Sequence, residues 1–325
     1  MKDLTTGKES KVILFFALPM LIGNVFQQSY NIIDSIIVGN YLGKEAVAAI
    51  GAAFPIIFFL ISMVIGITSG GTIIVAQFFG AKDYGSVKKT IDTLLIFLFF
   101  ASLIVTGIGL LIAPHVFYWM NLEQSSIPDA INYIMIYFSG MIFFFGFNGV
   151  SAILRGLGDS KTPLYFLVIA TVINIGLDFL FILGMNMGVS GAAFATLVSQ
   201  GLAFAAAVIY LNKKHEYINF SFRYITFDKE IFRKAIRIGL PSGIQQSLVA
   251  IGAFVMFWIV NDFGTNATAA YSIASRIDSF ALIPAMNFAM ALTTFVGQNV
   301  GAGLEVRAIK GLKTTMVMSG IISVS

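Results

Sequence analysis

Residues 164–184 read LYFLVIATVINIGLDFLFILG. At ~1.5 Å per residue a helix of about 20 residues crosses a ~30 Å hydrocarbon core, so the run predicts a membrane-spanning helix. Thr171, Asn174 and Asp178 recur at spacings of three and four, which puts them on one stripe of that helix. A carboxyl group at bilayer depth costs about 2.5–3.5 kcal/mol on insertion scales, and such groups mark ion or substrate paths. The alternative is a neutral Asp178 hydrogen-bonded to a neighbouring helix as structural glue.

Working outward, apolar residues make up 58% of the 325 positions, charged residues 11%, and Phe alone contributes 32. With a mean hydropathy of +0.88 this composition predicts an all-α polytopic membrane protein. The absence of cysteine excludes disulfide scaffolds, thiolate metal sites and cysteine nucleophiles. The two histidines, His115 and His215, fall at segment ends away from any acid cluster, so no metal or Ser-His site and no cofactor is expected. The net charge of +4 follows the membrane topology and does not imply a nucleic-acid partner. The first apolar segment is longer than a signal-peptide core and lacks a small-residue cleavage pattern, so no cleavable leader is expected.

Spanning helices are expected at roughly 12–39, 52–79, 91–113, 131–153, 164–184, 191–211, 238–260 and 277–300, with a ninth from near 312. All but two of the 20 Lys and Arg residues, Lys44 and Arg276, then fall in loops on one side. The positive-inside rule makes that side, and the N-terminus, cytoplasmic. The longest basic loop, 212–237, carries Phe227, Ile231, Ile236 and Leu240 among Lys and Arg, as an interfacial helix would.

Residues 40–89 align without a gap onto 261–310, pairing Asn40 with Asn261, Gly43 with Gly264, Thr72 with Thr293, Gln77 with Gln298 and Gly80 with Gly301; about 14 of the 50 positions are identical. Pro19 and Pro241 repeat with one residue of slippage. An even number of spans per repeat gives both copies the same orientation, related by an axis near the membrane normal. The expected organisation is an amino-terminal six-helix lobe (1–211), a basic linker (212–237) and part of a second lobe (238–325) holding two to three helices. Such a chain is expected to be a truncated form, inactive alone because a lone lobe has no facing wall for a central cavity.

Asp34 continues a stripe with Gln27 and Asn31, with Tyr30 alongside. Counted from the outer helix ends, Asp34, Asp178 and Thr196 all lie roughly 8–9 Å deep at ~1.5 Å per residue, so they can meet in one layer. Two carboxyl groups in low dielectric cannot both ionise cheaply, so such a pair can hold a proton, or release it to a hard cation such as Na⁺. The equivalents of Asp34 in the second repeat are Val255 or Met256, and neither titrates.

These residues, with ILRGLGDSKTPLYFLVIATVINIGLDFLFILGMNMGVSGAAFATLVSQ and the paired VAQFFGAKDYG and VGQNVGAG, resemble the multidrug and toxic compound extrusion (MATE) transporters over nearly the whole chain. The resemblance implies two six-helix lobes around a central cavity in a prokaryotic cytoplasmic membrane. It also implies export of organic cations and other amphipathic compounds against inward H⁺ or Na⁺, with no cofactor and no obligate protein partner. The chain is most similar to the DinF-like branch, whose cation site matches Asp34, Asn174, Asp178 and Thr196, whose helix-bending proline matches Pro19, and whose cavity contacts match Gln27 and Tyr30; Asn31 lies on the same face. The NorM-like branch has an acid on the seventh helix, where this chain reads IQQSL with Gln245 and Gln246. Two other readings remain: a flippase of lipid-linked precursors, which needs basic residues at mid-membrane, and an intramembrane enzyme, which needs a His, Cys or acid constellation.

Overall fold

The computed structural model describes residues 2–120, 122, 124–214, 225–261, 263 and 265–324, and these form ten α-helices and one π-helical turn. The helices are α1 (Glu9–Leu42), α2 (Lys44–Gly80), α3 (Tyr84–Trp119), α4 (Ile127–Ser139), α5 (Met141–Gly156), α6 (Lys161–Asp178), α7 (Gly188–Lys214), α8 (Lys229–Asn261), α9 (Thr265–Gly301) and α10 (Glu305–Val324). His215, Arg223 and Asp262 lie outside the described residues, as do the side chains of Arg276 and Asp278.

Most helices overshoot the expected spans. At 34 and 37 residues, α1 and α2 are far longer than a ~30 Å core needs, and they carry the apolar segments past the interface. Among the described residues five helices have the length and apolar character to cross a membrane, and the bent pair α4–α5 has them when its two helices are taken together. That pair departs from the single straight helix expected at 131–153, because it bends by 50° at Gly140. The break leaves backbone carbonyls without helical donors, and Thr106 Oγ1 donates to one of them, Phe138 O, at 2.9 Å. A side chain at Gly140 would come within 3.0 Å of Leu197 Cγ, so glycine lets α7 approach the bend.

Helix α8 begins within the segment expected as a basic linker with an interfacial helix, of which residues 215–224 lie outside the described residues. Asp228 Oδ1 accepts from the amides of Glu230 (2.9 Å) and Ile231 (3.0 Å), a cap that starts α8 directly and runs it unbroken into the span. Its early apolar residues Ile231 and Ala235 are buried with Ile74, Val75 and Ile91 of the first repeat, which offers them a drier surface than the interface.

Helices of the two repeats meet through glycine. Gly66 and Gly70 on α2 face Gly239 and Gly243 on α8, so each helix presents a small-xxx-small pair. A Cβ at Gly66 would stand 2.1 Å from Gly243 Cα, and one at Gly70 2.4 Å from Ala235 O. The repeats are also tied by hydrogen bonds at the basic end of the bundle. Leu4 N donates to Gln298 Oε1 (2.9 Å), Asn299 Nδ2 to Leu4 O (3.2 Å) and Gln298 Nε2 to Gly156 O (3.1 Å). Ahead of α8, Asp228 N donates to Thr93 Oγ1 (2.9 Å), and Thr226 reaches Asp92 on α3.

Candidate functional site

Three first-repeat helices converge on the polar layer. α1 brings Asp34 and Tyr30, α6 brings Asn174 and Asp178, and α7 brings Thr196. Asn174 and Asp178 are buried at 2% and 0% exposure on a helix whose other face is largely apolar and exposed, as the stripe predicts. The carboxyl groups of Asp34 and Asp178 lie within hydrogen-bonding reach of each other. Tyr30 Oη and Thr196 Oγ1 are 3.3 Å apart, linking α1 to α7, and Thr196 Oγ1 donates to Ala192 O at 3.1 Å.

Polar satisfaction is what singles the layer out. Asp34 Oδ1, both side-chain atoms of Asn174 and both carboxylate oxygens of Asp178 are buried with no hydrogen-bond partner among the described residues. Each such atom costs about 1–3 kcal/mol, and native interiors leave few of them. Two facing carboxylates are acceptors only, so their contact becomes a hydrogen bond with one proton between them, or an ion site with a hard cation bridging oxygens. The donor set, carboxylate with amide and hydroxyl oxygen, suits H⁺ or Na⁺ and lacks the soft ligands of a transition metal. No cluster of three or more His, Cys, Asp or Glu occurs among the described residues.

Gln27 and Asn31 are exposed, with Asn31 Nδ2 reaching Gln28 Oε1 at 3.4 Å, so the structure does not bring them to the acids. Pro19 is buried inside α1, fifteen residues before Asp34. Val255 and Met256, the second-repeat equivalents of Asp34, are exposed apolar residues on α8.

Three features of the layer escaped the sequence reading. Tyr133 and Tyr137 on α4 have stacked rings 6.3 Å apart, and Tyr133 lies in electrostatic range of both acids. Their four-residue spacing is visible in INYIMIYF, but not the direction they face. Gln200, one turn beyond Thr196 on α7, has a buried Oε1 with no partner among the described residues. Immediately after Asp178 the helix widens into a π-turn, Phe179–Gly184, closed by Met185 N donating to Leu180 O at 2.9 Å. Such turns are frequent at functional sites.

The sequence pattern of the MatE family matches residues 19–180 and 241–325. Among curated proteins, the chain is 36% identical over 313 residues to "Probable multidrug resistance protein YoeA" of Bacillus subtilis, covering 93% of this chain and 68% of that protein. It is 33% identical over 306 residues to "Probable multidrug resistance protein YpnP" of the same organism, covering 94% and 68%. Among solved structures, an outward-facing conformation of a multidrug resistance MATE family transporter of the MOP superfamily superposes with a TM-score of 0.92 at 28% identity, covering 98% of this chain and 71% of that one. The chain belongs to the MatE family of membrane transporters.

Proposed function

We propose that the protein is a cation-coupled exporter of organic cations and other amphipathic compounds, driven by inward H⁺ or Na⁺ and working by alternating access. The observation that carries this reading is the set of unpartnered buried oxygens on Asp34, Asn174 and Asp178, with the two acids facing each other. Uptake of a cation neutralises one repulsive contact between α1 and α6 and draws the two helices together. Pro19, which offers no backbone donor to the preceding turn, is where α1 yields to that pull. The helix movement shrinks the pocket on the first lobe and expels the substrate outward. The polar α1 face with Gln27, Tyr30 and Asn31 contributes to that pocket.

In this reading residues 1–211 form the coupling lobe, 212–237 the linker, and 238–325 belong to the facing lobe. The site follows the DinF-like pattern, with coupling through the first lobe alone. The protein lies in a prokaryotic cytoplasmic membrane, with its N-terminus and basic loops inside.

The test replaces Asp34 and Asp178 singly with Asn in the complete gene product and measures drug efflux from cells or proteoliposomes with H⁺ and Na⁺ gradients imposed separately. Both substitutions are expected to abolish gradient-driven efflux while leaving the protein in the membrane. Unchanged efflux in both variants would overturn the assignment, and whichever gradient drives the unsubstituted protein names the ion.

A further inference from the structure

The two repeats touch along two long seams that an exact repeat would make alike, and they are built differently. In the α2–α8 seam, Gly66 and Gly70 lie backbone to backbone against Gly239 and Gly243. The repeat equivalent of Gly66 is Asn287, and the equivalent of Gly70 is Ala291. The α1–α9 seam is therefore filled by side chains: Phe16, Phe288 and Phe295 are fully buried there with Ala17 and Ala291. Further along α1, Asn24 Nδ2 donates to Asn287 Oδ1 across the seam at 2.9 Å. Asn287 is completely buried, and its own Nδ2 is occupied by Ile283 O at 2.7 Å, so its carbonyl oxygen is the acceptor held ready for Asn24.

We propose that the α2–α8 seam is the pivot of the transport cycle, that the α1–α9 seam is the one that parts, and that Asn24 and Asn287 are the positioning residues whose hydrogen bond is made and broken as it does so. Interlocked glycine backbones turn on each other but cannot separate without losing their whole contact, whereas a seam of aromatic side chains re-packs through rotamers. Asn24 lies on α1 between Pro19 and Asp34, so whatever moves the outer part of α1 relative to its proline acts on this bond. The inference rests on the coupling assignment above for the trigger, but not for the choice of seam. Losing one such hydrogen bond shifts a two-state equilibrium by about fivefold, enough to bias a cycle without unfolding the protein.

Because these 325 residues hold no cysteine, spin labels can be placed in them without background from this part of the protein, and any cysteine elsewhere in the gene product is replaced with serine. One pair, Phe26→Cys with Met286→Cys, reports on the α1–α9 seam, and a second, Ile65→Cys with Ile244→Cys, on α2–α8; all four positions are exposed. Distances are measured by double electron–electron resonance in the complete gene product in nanodiscs, at low and high pH, with and without Na⁺, and with ethidium as a cationic probe. The α1–α9 pair is expected to show two distances whose populations respond to cation or probe, and the α2–α8 pair one unchanged distance. Adding Asn24→Val is expected to shift the α1–α9 populations by about fivefold, with Asn24→Gln recovering part of the shift. An unchanged α1–α9 distance under every condition, or an α2–α8 distance that changes as much, overturns the proposal. A response to ethidium alone, with none to H⁺ or Na⁺, supports the seam and removes the coupling assignment.

Discussion

Gly80 and Gly301 make the same contact from opposite sides of the α2–α9 crossing: a Cβ at Gly80 would stand 1.9 Å from Gln298 O, and one at Gly301 1.9 Å from Gln77 O. Gln77 and Gln298 are themselves repeat equivalents, as are Ala76 and Gly297, which touch each other. An element that meets its own repeat equivalent lies at a twofold axis, so the pseudo-symmetry of the two repeats runs between α2 and α9.

Because the obstructing atoms there are backbone, side chains at these glycines cannot be accommodated by rotamer changes. Gly80→Val and Gly301→Val are each expected to lower stability by about 1–3 kcal/mol or more, and by similar amounts because the contact is reciprocal. Gly51→Ala, inside α2 where nothing lies within 4 Å of the added carbon, is the control and is expected to lose no stability and to gain up to about 1 kcal/mol from helix propensity. Thermal unfolding in detergent, followed by tryptophan fluorescence or size exclusion, reads all three.

The Tyr30–Thr196 hydrogen bond joins α1 to α7 beside the acids. Tyr30→Phe and Thr196→Val are each expected to cost about 1 kcal/mol, and the double variant little more than either alone, since one bond is removed once. Efflux should fall in the same non-additive pattern. Additive losses would show that the two side chains act separately.

Asp92 is 2% exposed, paired with Lys88 Nζ at 2.7 Å and accepting from Thr226 N and Oγ1, both at 3.4 Å. It anchors the arm ahead of α8 to α3. Asp92→Ala is expected to destabilise by about 1–3 kcal/mol and to expose the arm, which limited proteolysis near residue 226 would detect as faster cleavage. Lys88→Ala should do less, because Lys88 is 31% exposed and solvent screens its half of the pair.

Glu9 and Arg307 pair across the repeats at 3.3 Å, with side chains 25% and 18% exposed. Partial exposure holds the pair to about 1 kcal/mol in a double-mutant cycle, falling with added salt. Arg307 also lies 5.5 Å over the Phe295 ring, so Arg307→Ala should cost more than Glu9→Ala, and Arg307→Lys should not restore the difference. Equal costs would show that the ring contact contributes nothing.

Much of this was legible in the chain. Hydrophobic run length placed the first-repeat spans, because in a bilayer every backbone group must be satisfied within its own helix and a ~30 Å core sets the length. Counting residues from helix ends put Asp34, Asp178 and Thr196 at one depth, because rise per residue is a local property. Repeat identity at Gln77, Gly80, Gln298 and Gly301 exposed the duplication. Tertiary structure decided the rest. The bend at Gly140 depends on how closely α7 packs, and the facing of Tyr133 and Tyr137 depends on that bend. The π-turn after Asp178 is a matter of hydrogen-bond register, which residue identities do not encode. The difference between the two seams arises only when Gly66 meets Gly243 and Asn287 meets Asn24, contacts between residues far apart in the chain. Depth along a helix follows from covalent geometry, but which faces meet is settled by packing among helices, and that belongs to the whole fold.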